Sequence, residues 1–414
     1  MAQETQLNQL FRWECGLGMA IAIGLARTAT AADYLSSPVT LAAILVGFAC
    51  GGLCTFSFFQ KSQRTWRRVG LVVAKIIAMM IYLYAVDTIV SDLLDHIWRS
   101  SGVAPTFLFY LGTILVFIGI LPGYFRLILA ETNSPLRMLA LFIFYYEAVV
   151  IPNTFGFGKN YVSSFDAINL LTFVVATALV IIAMNHWGYR FPRFKFNHQV
   201  NYWWLALLVF PRFIFMGFSA GSWSRLFSLP VTFKLASVSD MKGFLLTGVY
   251  IVFTVLTICF KEELIFRYLF LSQILNMVTG TPKVKILKSV LFTAFLFALW
   301  HLQNFTYQPV LGTIMQATAA FAMGMAFAII CLYTGTIWIT VIMHSIFDLF
   351  MVDNVSNQSP FSVEPSAFTI EFILITTAIQ IVVVLLAIYL VKTASFEQTI
   401  RENRLSRQPH FALD

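Results

Sequence analysis

Apolar runs of about twenty residues recur along almost the whole chain, and a helix of that length crosses the ~30 Å hydrocarbon core of a bilayer. They lie near 14–32, 39–59, 69–90, 106–129, 136–152, 165–187, 202–218, 243–278, 287–303, 311–333, 336–351 and 368–391, which reads as about twelve crossings. With 59% hydrophobic residues, 11% charged residues and 42 phenylalanines, the chain lacks the polar surface to enclose so much apolar material in water. Lipid must serve as its solvent. A helix satisfies its own backbone there, so the expected fold class is an all-α polytopic membrane protein.

The net charge of +8 does not point to nucleic acid, because the basic residues form short clusters between apolar runs rather than a stripe. Lys and Arg collect on the cytoplasmic side of membrane proteins. Lys61, Arg64, Arg67 and Arg68, then Arg126 and Arg137, then Arg190, Arg193 and Lys195, then Lys283, Lys285 and Lys288, and finally Lys392, Arg401, Arg404 and Arg407 all fall on one face of the twelve-span arrangement. Both termini are then expected in the cytoplasm. The opposite face receives Asp92, Asp95, Asp353 and Glu364, with the basic 219–242 connection as its exception. The five cysteines, Cys15, Cys50, Cys54, Cys259 and Cys331, sit in or beside apolar runs without metal-knot spacing and read as small buried hydrophobes. The N-terminus lacks a basic region followed by a cleavage site and is expected to be retained.

Three polar signatures interrupt the apolar spans: Glu262-Glu263-x-x-x-Arg267, Phe297-x-x-x-His301 and His344-x-x-x-Asp348. Ionisable groups at bilayer depth cost several kcal/mol unless they pair or line a wet cavity, so a set of six needs a reason. Catalysis supplies one. The run 243–278 is about 54 Å long as a helix, more than one crossing needs, so a long or broken helix is expected with the Glu pair near the break. Measured from the basic loop at 283–288 and the turn at Thr334-Gly335, the polar groups can meet at one depth, roughly 13–24 Å in, opening to the cytoplasmic half.

Helical geometry sorts their roles. Glu263 and Arg267, four apart, share a face and can neutralise one another. Glu262 is rotated by about 100° and left to face a cavity. Asp348, four residues after His344, is placed to orient the imidazole or share its ligand. Phe297, a turn before His301, can wall the site against water. Glu262 then serves as general base toward a peptide carbonyl, with the histidines holding either a metal or the oxyanion. His301 and His344, with a carboxylate from Glu262 or Asp348, are the ligand types of a catalytic zinc site, Glu262 being the first choice, and the same residues can work without metal. The residues leave both options open, with a slight preference for no tight metal.

The three signatures, in this order and each on its own apolar span, resemble those of the CAAX-processing and bacteriocin-processing intramembrane proteases, the CPBP or Abi family that includes the type II CAAX prenyl endopeptidases. EExxxR matches at Glu262, Glu263 and Arg267, FxxxH at Phe297 and His301, and the third motif at His344 and Asp348, where prenyl endopeptidases usually carry Asn. The resemblance covers roughly residues 200–391. It implies a helical membrane core, endopeptidase activity on a membrane-associated peptide or protein, and a site open to the cytoplasm. A non-proteolytic scaffold or bacteriocin-immunity protein of the same family is the alternative.

The expected organisation is an accessory membrane module over 1–200, with about six helices and a partner-binding or gating role, a protease domain over 201–391 and a basic cytoplasmic tail over 392–414. Gly217-x-Ser219-x-Gly221 follows a membrane helix rather than a strand and is set aside as a nucleophile elbow. No nucleic-acid partner is expected.

Overall fold

In a computed structural model of the chain, the described residues are chiefly 134–150, 167–194, 200–219, 255–351 and 364–392, with isolated positions elsewhere. The expected spans at 14–32, 39–59 and most of 69–90 and 106–129, the 220–242 connection and the tail beyond 396 lie outside them. All regular structure among the described residues is helical. The helices are α1 (Ser134–Val150), α2 (Ala167–His186), α3 (Tyr202–Ser219), α4 (255–277), α5 (Pro282–His301), α6 (Val310–Thr334), α7 (Trp338–Met351) and α8 (Ala367–Leu390). Their positions follow the expected apolar runs. Three stretches, Pro282–Thr306, Val310–Thr334 and Ala367–Leu390, are long and apolar enough to cross a membrane.

The chain divides into two compact units, Met1–Ala183 and Met184–Asp414; all three signatures fall in the second. Local sequence sets its helix ends. Thr281 holds the extended N-cap conformation before Pro282, whose fixed φ suits the first helical turn. Gly335 closes α6 in the left-handed region at φ 74°, its N–H donating to the Cys331 carbonyl at 2.8 Å, a conformation that costs a residue with a Cβ more than glycine. Ser366 caps α8 by accepting from the Thr369 N–H at 3.2 Å.

Helix α4 departs from regular α geometry where the excess length predicted a break. Residues 255–263 are α-helical, Leu264–Leu271 form a π-helix, and Ser272–Met277 return to α. The break is thus a widening of the helix without loss of its axis, and the Glu pair sits immediately before it. Such π segments concentrate at functional sites. All eight residues of the π-helix are buried.

Small residues let α5 and α6 approach closely, the device by which helices pack in lipid. A Cβ on Gly324 would lie 2.9 Å from the Ala294 Cα and 3.3 Å from Phe297 Cδ1. Polar links add register. Gln380 of α8 donates to the Leu208 carbonyl of α3 at 3.0 Å, one turn before Pro211, where the proline removes a helical N–H. Lys283, at the start of α5, donates to the Tyr389 carbonyl at the end of α8 at 2.5 Å. The segment after α2 is strapped to α4: the Tyr189 hydroxyl accepts from Asn276 at 3.3 Å and donates to Gln273 Oε1 at 3.4 Å.

Candidate active site

Glu263 is the hub of the polar cluster. Its carboxylate is fully buried between two partners, Arg267 Nε at 3.1 Å from Oε2 and His344 Nδ1 at 3.0 Å from Oε1. The first partner is the i, i+4 neighbour that helical geometry predicts. The second comes from α7, 81 residues away. Because a carboxylate so paired can only accept, Nδ1 carries the proton, which fixes the ring and presents Nε2 to the other side.

Of the two roles the sequence offered Asp348, orienting the imidazole or sharing its ligand, the first is filled by Glu263. Asp348 Oδ1 lies 3.7 Å from His344 Nε2, and Glu262 Oε2 lies 3.7 Å from the same atom; both exceed a direct hydrogen bond. Nε2 therefore faces two carboxylates without being bonded to either. These two acids lie at the cluster's open edge: the Glu262 and Asp348 side chains are 19% and 33% exposed, against 3% for His344 and 0% for Glu263.

Glu262 is held rather than free, since Trp300 Nε1 donates to its Oε1 at 3.3 Å, leaving Oε2 toward His344. Trp300 escaped the sequence reading, although it precedes His301 directly and is the indole on that turn of α5. Phe297, fully buried, packs where it was expected to wall the site. Its ring meets His301 edge-on at 4.8 Å and His344 at 5.9 Å between centroids. The Arg267 guanidinium lies over the same ring at 5.0 Å and over Phe327 at 5.8 Å, so the buried cation is balanced by Glu263 and two aromatic faces.

His301 is not drawn into the carboxylate cluster. Its Nδ1–H donates to the Phe297 carbonyl one turn back at 2.8 Å, which leaves Nε2 as the atom available to accept. Beyond α5, Tyr307 donates to Asn304 Oδ1, and partial burial together with the Glu262 charge raises its hydroxyl pKa above the ordinary value. Glu262 pairs with Trp300, about 25 Å along α5 from Lys283 at 1.5 Å per residue, so the cluster gathers at the end of α5 remote from its lysines.

Cys259 was read as a buried hydrophobe and is indeed buried, but its thiol donates to Asp348 Oδ2 at 3.3 Å. One ligand atom each from Cys259, His344 and Asp348 lie within 4.8 Å of one another. A tetrahedral zinc ion holds S, N and O ligands about 3.4–3.6 Å apart, so this trio is a second candidate ligand set, one that shares His344 with the expected one. The spacing gave a signal in retrospect: Cys259 stands one turn before the Glu pair on α4.

Residues 244–350, which contain all three signatures, match the family model described as Rce1-like, type II CAAX prenyl endopeptidase Rce1-like. No curated protein and no solved structure matches the chain. With its apolar helices, the chain is an integral membrane protein, and the Rce1-like match over residues 244–350 supports its likeness to the CAAX-type intramembrane proteases.

Proposed function

We propose that this chain is an intramembrane endopeptidase that cleaves a membrane-associated peptide or protein by water attack. The observation that supports it best is the pair of polarised groups at the cluster's accessible edge. Glu262 Oε2 and His344 Nε2 stand 3.7 Å apart, each oriented by a group behind it, Trp300 for the acid and Glu263 for the imidazole. Glu262 takes a proton from water as the oxygen attacks the scissile carbonyl carbon, and protonated His344 Nε2 donates to the oxyanion that forms. As the intermediate collapses, the C–N bond breaks and Glu262 returns the proton to the leaving nitrogen. Asp348, 3.7 Å from the same Nε2, sets a second carboxylate opposite that proton. His301, its Nδ1 committed to Phe297, offers Nε2 as an acceptor for the attacking water. Glu263 and Arg267 position these groups.

The reaction in this reading needs no resident metal. Zinc in general polarises a carbonyl or acidifies a bound water; in this chain Cys259, His344 and Asp348 are the residues that would hold it, and a metal there would take His344 Nε2 out of its role as oxyanion donor.

The wider reading sets the peptidase domain in a chain of about twelve crossings with both termini in the cytoplasm. Residues 1–200 form an accessory module that binds a partner or gates substrate. The test is comparative proteomics of membranes from cells carrying the wild type or Glu262→Gln. A membrane-associated peptide that accumulates uncut in the variant identifies activity and target together. Identical peptide profiles at equal protein levels overturn the assignment.

A further inference from the structure

A thiol inside a carboxylate–imidazole cluster is not required by water attack, and Cys259 has no part in the steps above. Its neighbours are those of a metal ligand. Cys259 Sγ is 3.3 Å from Asp348 Oδ2, and His344 Nε2 is 3.7 Å from Asp348 Oδ1, so the two oxygens of one carboxylate face the other two ligands; one ligand atom from each residue lies within 4.8 Å of the others, a set that has to close by about 1 Å to reach the spacing around tetrahedral zinc. The imidazole is held from behind by Glu263 at 3.0 Å, the carboxylate support that fixes metal-binding histidines. Asp348, one-third exposed, provides the way in to two buried ligands.

We propose that Cys259, His344 and Asp348 form a binding site for a thiophilic divalent cation, zinc by chemical class, and that its occupancy switches the peptidase site off. The sulfur ligand selects soft and borderline ions over magnesium and calcium, which take oxygen ligands. On binding, the Cys259 proton leaves to solvent and the thiolate, the neutral imidazole and the carboxylate each donate one electron pair. The inhibitory half rests on the reading of His344 as oxyanion donor. Nε2 cannot donate a proton while its lone pair is on a metal.

The full chain, purified in detergent, is titrated with cobalt(II) as a spectroscopic stand-in for zinc, and peptide cleavage is followed as zinc is raised. A thiolate-to-cobalt charge-transfer band is expected in the wild type and in Glu262→Gln, removed by added zinc and lost in Cys259→Ala. The zinc concentration that halves cleavage should rise at least about tenfold in Cys259→Ala, since even residues behind the ligands change affinity 10–100-fold. Cys259→Ser, which keeps a donor toward Asp348 but no thiolate, replaces the alanine variant if that one does not fold. Absence of the band in the wild type, its survival without the thiol, or equal zinc inhibition of both proteins overturns the site. Cobalt binding needs no turnover, so a band in protein that cuts nothing retires the peptidase reading alone, whereas cleavage without a band retires the metal site alone.

Discussion

At Gly324 α6 lies close against α5, and adding one methyl group there transmits strain to the site without altering any polar residue. In Gly324→Ala the new Cβ would stand 2.9 Å from Ala294 Cα, 3.2 Å from Ala294 Cβ and 3.3 Å from Phe297 Cδ1. The nearest of these is backbone, so no rotamer change relieves it. Reaching ordinary contact requires α5 to move outward by about half an ångström or more, at an overpacking cost of about 1–3 kcal/mol. The same helix carries Phe297, Trp300 and His301. The Trp300–Glu262 bond is already 3.3 Å long, and a shift of a few tenths takes it past hydrogen-bonding distance. A misplacement approaching 1 Å costs as much as about 10²-fold in rate. The assay pairs thermal unfolding in detergent with cleavage of the substrate found by proteomics. Ala294→Gly should fail to rescue the variant, because it removes the Cβ and leaves the Cα in place. Unchanged melting and wild-type cleavage in Gly324→Ala would refute the reasoning.

Glu262→Gln should lower cleavage by about 10²–10⁴-fold while the protein still folds and inserts, as loss of a general base does; wild-type turnover removes Glu262 from that role. Single alanine substitutions at Glu263 and Arg267 should each destabilise by about 3–5 kcal/mol, with the double change milder than their sum, and additive losses in a double-mutant cycle would show that the two act separately. Chelator-treated protein should keep its activity; one tightly held zinc per chain, with activity lost on removal and restored by zinc, reverses the metal-free assignment. If the lysine-bearing end of α5 faces the cytoplasm, Tyr307→Cys should react with an impermeant thiol reagent in intact cells and Lys285→Cys only after permeabilisation. The opposite pattern places the site on the cytoplasmic side, as the family resemblance implies.

Whatever depends on one helix at a time was legible in the sequence. Apolar length marked the spans, since hydrophobic thickness fixes how many residues a crossing needs. Four-residue spacing paired Glu263 with Arg267, and the surplus length of 243–278 announced an irregular helix. The irregularity's kind, a π-helix over Leu264–Leu271, depended on packing around a fully buried stretch. Partners across helices were beyond reach for the same reason: periodicity places a side chain on a face but does not name the helix that meets it. His344 and Asp348 share a face, yet the ring is held by Glu263 from a helix 81 residues away. Trp300 fixes Glu262, and Cys259 meets Asp348 across 89 residues. Sequence determined which groups would be buried in lipid and therefore need partners; the tertiary structure decided which partners they took, because only helix packing sets the distances over which a buried charge is neutralised.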